Sequence, residues 1–146
     1  MPKKLFTIAF DLGGVIFSNT NDNIIFTNKY LDTTLTPGIF NVIKDLSSEE
    51  SNKLIIISKA YPNNAKKSME ILKMYGLDDY FNSIIFCEDN QDKFPIAKAM
   101  KVNVMIDDNA EVLKVFDKTI KTILFTENKT NTILTTIKEA KNIKNI

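Results

Sequence analysis

A chain of 146 residues with 44% hydrophobic residues and a formal charge of +1 is long enough to bury a core as one domain, and its charge balance offers neither a basic footprint for nucleic acid nor an acidic tail. It contains no histidine, and every basic residue is a lysine, which excludes Ser-His and Cys-His nucleophile pairs, histidine metal sites and the bidentate arginine fork. What remains for chemistry is carboxylates, hydroxyls, lysines and a hard metal ion.

The chain opens Met1-Pro2-Lys3-Lys4, with no secretory signal and no apolar run long enough to cross a bilayer. From Leu5 to Phe10 an apolar run rich in β-branched and aromatic residues predicts a buried strand, and it ends on Asp11-Leu12-Gly13-Gly14. A carboxylate at the C-terminal end of such a strand stands where open α/β sheets bind ligands. The glycines let the backbone turn sharply there, although Asp-x-Gly-Gly is equally the composition of a plain turn. Residues 18–35 are polar and read as a loop or small hairpin flap around Ile24-Ile25-Phe26. Thr36-Pro37 reads as a helix start, with Thr36 as N-cap, and the helix carries Ile39, Phe40, Val42, Ile43 and Leu46.

Lys53 to Ser58 is a second buried strand, closed by a hydroxyl. Tyr61 to Tyr75 is helical, with Gly76 in the stop position. Ser83 to Cys87 is a third strand, and a polar loop then leads to Lys93 and a short helix over Phe94 to Lys101. Cys87 has no cysteine partner, which fits a reducing, cytoplasmic compartment. Val102 to Ile106 is a fourth strand ending on Asp107-Asp108, a pair that also suits a helix cap. A helix over Ala110 to Asp117, a fifth strand over Thr122 to Phe125 and a closing helix over Asn131 to Lys144 complete the reading. Strands alternating with helices predict a mainly parallel sheet covered on both faces, with the strand C-termini along one edge.

Asp11, Ser58, Lys93 and Asp107-Asp108 make chemical sense together at that edge. Carboxylates at neighbouring strand ends repel unless a hard cation lies between them, and Mg²⁺ takes one or two carboxylates, a carbonyl and waters. A carboxylate held against phosphorus can act as nucleophile. In this light the order Phe10-Asp11-Leu12-Gly13-Gly14-Val15, Ile55-Ile56-Ile57-Ser58, Lys93-Phe94-Pro95 and Met105-Ile106-Asp107-Asp108 resembles the four motifs of the haloacid dehalogenase (HAD) superfamily of Mg²⁺-dependent, aspartate-nucleophile phosphohydrolases. The resemblance spans essentially the whole chain.

It implies an α/β, three-layer Rossmann-like fold with about five strands. It also implies Asp11 as nucleophile and a Gly13 carbonyl, Asp11 and Asp108, with Asp107, as the Mg²⁺ site. Ser58 would hydrogen-bond the phosphoryl oxygens, and Lys93 would neutralise the nucleophile and the phosphate. The departure is at Gly13, where phosphatases of the family carry a second Asp that acts as general acid and base; Asp22 is the only flap carboxylate before Asp32. Residues 18–35 are too few for an independent unit, so a single capless domain over 1–146 is expected. Its open site suits a bulky phosphorylated substrate or closure by a partner chain.

Overall fold

Five apolar runs form five parallel strands in the order β3-β2-β1-β4-β5. The computed structural model describes residues 5–19 and 23–144; Asp22, considered above as a flap carboxylate, lies outside them. The strands are β1 (Phe6–Phe10), β2 (Asn52–Lys59), β3 (Ser83–Cys87), β4 (Val104–Asp107) and β5 (Lys121–Leu124). Between them lie α1 (Ile39–Ser47), α2 (Pro62–Met74), α3 (Lys93–Ala99) and α4 (Ala110–Leu113), and α5 (Ile133–Lys144) closes the fold.

β1 is the central strand, pairing Ile8, Ala9 and Phe10 with Leu54, Ile55 and Ile56 on one side and with Val104, Met105 and Ile106 on the other. Side chains alternate faces along a strand, so β1, β2 and β4 each feed two cores. Ile8, Phe10, Leu54, Ile56, Val104 and Ile106 pack with residues of α1, α2 and α5. Ala9, Ile55, Ile57 and Met105 pack with Ala97 of α3 and Leu113 of α4. Helices therefore cover both faces, which is why the central strands read as nearly continuous apolar runs rather than alternating ones. The result is the expected three-layer α/β sheet. No helix among the described residues is long and apolar enough to cross a membrane.

Several local expectations are corrected. Thr36 does not cap α1: it is buried, its hydroxyl has no partner, and the N-cap position is Gly38 at φ 82°. The N–H of Thr36 is instead spent on the Ile16 carbonyl, which ties the returning chain to the turn after β1. α4 is one short turn because the chain leaves it at Lys114 to reach β5. α2 ends as expected, with Gly76 at φ 70°. There the Gly76 N–H donates to the Lys73 carbonyl and the Leu77 N–H to the Leu72 carbonyl, a Schellman stop.

Among its described residues the flap is bridged at its base by an antiparallel pairing of Phe17 with Leu35 and is more than a featureless loop. It holds two 3-10 turns, Ile24–Phe26 and Tyr30–Asp32, and side chains of α2 hold it down. Lys67 Nζ donates to the Ile25 carbonyl at 3.1 Å, the Tyr75 hydroxyl donates to the Thr33 carbonyl at 2.6 Å, and the Tyr30 hydroxyl donates to Glu70. Among the described residues, no separate folded unit stands over the C-terminal edge of the sheet.

Candidate active site

Parallel pairing lines up the ends of β1 and β4, so Asp11 and Asp107 come side by side. The Asp11 N–H continues the ladder onto the Ile106 carbonyl at 2.9 Å, and its Oδ1 accepts from the Leu12 N–H at 2.8 Å. Asp107 is the last residue of β4 and fully buried. Lys93, at the start of α3, is buried beneath both, its Nζ 2.8 Å from Asp107 Oδ2 and 3.3 Å from Asp11 Oδ1. Asp107 Oδ1 accepts from the Asn109 N–H at 3.0 Å. Asp107 and Asp108 therefore differ in duty: one is bound inward, while the other is exposed and lines a cavity of about 480 Å³. Neither caps α4; that place belongs to Asn109, whose side chain accepts from the Glu111 N–H.

Asp11, Asp107 and Asp108 each offer an oxygen, all within 4.8 Å of one another. Three carboxylates against the ammonium of Lys93 leave two negative charges uncompensated. The strain is visible in the acidities. Burial, opposed by Lys93 and reinforced by Asp107 and Asp108, pushes the Asp11 carboxyl up to about 8. Burial and the Asp107 charge also raise Asp108. On Lys93 burial opposes the charge, but Asp11 and Asp107 outweigh it and hold the ammonium above its ordinary range. A set of crowded oxygen donors with unbalanced negative charge fits a hard divalent cation.

Ser58 arrives from the end of β2, buried, and lines the same cavity as Gly13, Gly14 and Asp108. Gly13 is exposed at the turn, and none of the turn's backbone hydrogen bonds ends on its carbonyl. Of the six residues singled out in the sequence, the structure thus joins Asp11, Lys93, Asp107 and Asp108 into one charged cluster. It sets Ser58 and Gly13 around the cavity above it.

The residue that sequence reasoning undervalued is Gly14. Its φ is +79°, and a Cβ built there would lie 2.0 Å from Asp108 Oδ2 and 2.7 Å from its Cγ. Gly13 needs neither privilege: its φ is ordinary and nothing lies within 4 Å of a Cβ. The double glycine was the available signal, but only the register against β4 tells the two apart. Gly14→Ala is expected to cost about 1–3 kcal/mol through the disfavoured φ and the displaced Asp108. Gly13→Ala should stay within about 0.5 kcal/mol. Chemical denaturation of the pair checks this, and equal losses would refute it.

No protein-family model matches the chain, and no curated protein aligns with it. Solved structures do. A chain of the Pnkp1/Rnl/Hen1 RNA repair complex superimposes with a TM-score of 0.64 over 86% of this chain at 15% identity, and the match spans 45% of that longer chain. An uncharacterized protein from Listeria monocytogenes serotype 4b matches at TM-score 0.63 and 12% identity, covering 94% of this chain and 99% of the other. A haloacid dehalogenase-like family hydrolase from Xanthomonas campestris matches at 0.58 and 10%, covering 97% and 100%. The chain has the haloacid dehalogenase-like fold. On the HAD-like sheet, the charged cluster and the cavity share the strand edge where open α/β sheets place their ligands.

Proposed function

We propose that the protein is a Mg²⁺-dependent phosphohydrolase that works through a phosphoryl group transferred to Asp11. The observation that carries the reading is the crowding of Asp11, Asp107 and Asp108 around the buried ammonium of Lys93. The HAD-like fold of the neighbouring structures supports it. Asp11, Asp108 and the Gly13 carbonyl, with Asp107 behind them, would hold the cation. Once bound, it supplies positive charge to the carboxylates and to the phosphoryl oxygens.

The chain's own residues do the rest. Lys93 balances charge on Asp11 and keeps its carboxylate available as nucleophile. The Leu12 N–H at 2.8 Å fixes the Oδ1 oxygen of Asp11, which leaves Oδ2 to attack phosphorus. Ser58, buried and lining the cavity, would donate to a phosphoryl oxygen. Asp107 positions Lys93 and is itself pinned by the Asn109 N–H.

A second reading keeps the fold and the cation but not the turnover. Gly13 carries no acid to protonate a leaving group, and positioned acid–base groups contribute about 10²–10⁴ in rate. A HAD-like binding or regulatory protein would show that arrangement too. Both readings need the metal. Saturating Mg²⁺, at about a hundredfold over its Kd, should stabilise the native state by about 2.7 kcal/mol. The corresponding rise in melting temperature is on the order of 10 °C, and Asp108→Ala should abolish it. A melting temperature that ignores Mg²⁺ in the wild type would show the cation site to be wrong.

A further inference from the structure

We infer that the leaving group accepted at this site is an aryl oxide, so that the substrate is an aryl phosphate monoester. Such an ester is either a free phenyl-type phosphate or the phosphorylated tyrosine of a peptide. The inference rests on the phosphohydrolase reading above and narrows it.

The cavity over Ser58 and Asp108 is walled on the flap side by Ile24, Ile25 and Phe26 and on the other by Tyr61 of the β2–α2 turn. Phe26 is 64% exposed and Tyr61 56%, so two aromatic faces stand at the mouth, unspent on the core. Exposed aromatic rings of this kind provide stacking area for another ring. The flap wall is built rather than loose, since Lys67, Tyr75 and Tyr30 tie it to α2. Among the described lining residues Asp108 is the one carboxylate and Lys59 the one cation, and the polar remainder, such as Asn64 and Ser68, is uncharged. The flap side of this cavity, with Ile24, Ile25 and Phe26 facing the same space as Tyr61, offers apolar and aromatic surface to a planar group, while Lys59 and Asp108 carry its charge.

Proton supply selects the same class. In the forward step an oxygen of Asp11 bonds to phosphorus and the P–O bond to the leaving group breaks, its electron pair departing on that oxygen. With glycine at position 13 no side chain there protonates it. An alkoxide leaves badly without a proton. An aryl oxide is the base of an acid with a pKa of about 10; it departs as the anion and takes its proton from water afterwards. In the second step a water oxygen attacks phosphorus, the P–O bond to Asp11 breaks and the carboxylate is restored. The proton of that water passes to solvent, and inorganic phosphate leaves.

Phenyl phosphate and benzyl phosphate separate ring recognition from leaving-group basicity, because both carry the ring and only one leaves as an aryl oxide. With Mg²⁺, kcat/KM for phenyl phosphate should exceed that for benzyl phosphate by at least about 10²-fold, with glycerol phosphate lower still. Phe26→Ala and Tyr61→Ala should each raise KM for phenyl phosphate about tenfold, roughly one ring contact of binding. Inhibition by inorganic phosphate should hold. A phosphotyrosine peptide turned over faster than phenyl phosphate identifies a macromolecular source; the reverse identifies a free one. Benzyl phosphate within about tenfold of phenyl phosphate overturns the inference, since a proton donor must then be at work. If no ester turns over, beryllofluoride decides: binding at Asp11 leaves the phosphohydrolase reading standing and sinks the aryl substrate, while no binding removes both.

Discussion

Asp11→Asn is expected to lower phosphate-ester turnover by at least about 10³-fold while leaving the fold intact, because it removes the attacking charge and keeps the shape. The asparagine oxygen can still accept from the Leu12 N–H, and Lys93 keeps its 2.8 Å partner in Asp107. The same variant should behave unusually in chelator. The Asp11 carboxyl titrates near 8 in the folded protein against an ordinary value of 3.8. Between those pH values the folded state holds a proton that the unfolded chain has released, so metal-free stability falls as pH rises from about 4 to 8. Asparagine has no such slope. The variant should melt above the wild type at pH 8 in chelator, with the gap narrowing as pH falls toward 4, a trend that calorimetry reads directly. In the wild type, phosphate or beryllofluoride should be trapped on Asp11; a label on Ser58 instead would overturn the assignment.

The opposite effect is expected at Gly13. Gly13→Asp should raise turnover of alkyl phosphate esters by about 10²–10⁴ and change aryl esters less than about tenfold, since protonation matters most for the most basic leaving group. The site can take the side chain: Gly13 has an ordinary φ, open space around a Cβ, and a place on the cavity with Ser58 and Asp108. A melt alongside the kinetics confirms folding and Mg²⁺ response. If the variant folds, binds Mg²⁺ and still leaves alkyl esters untouched, the missing acid does not explain the site, and the binding reading gains.

The sheet was legible because strands covered on both faces are nearly continuous in apolar residues, as Ile8–Phe10 and Leu54–Ile57 are. Once the strands are placed, the meeting of Asp11 with Asp107 and Asp108 follows from the parallel register of β1 and β4. Three things did not follow. Thr36-Pro37 has the local chemistry of a helix start, but long-range pairing with Ile16 claims Thr36 first and moves the start to Gly38. The inward turn of Asp107 and outward turn of Asp108 depend on β4 ending one residue later than its last apolar side chain. The flap is held by Lys67 of α2 and by Tyr75 just past its end, each 42 residues away in sequence, a distance over which composition carries no signal.

The central place of β1 also has a temporal side. Its two neighbours are β2 and β4, and the charged cluster draws on positions 11, 93, 107 and 108. At about 5–20 residues per second, the ribosome needs on the order of 5–20 s to travel the roughly 100 residues from the first carboxylate to the last. Through that interval Asp11 sits on a nascent chain in water, an ordinary acid with ordinary acidity. Its altered acidity is conferred late, when β4 slots in beside β1 and most of the sheet's burial is ready to offset the crowding of like charges.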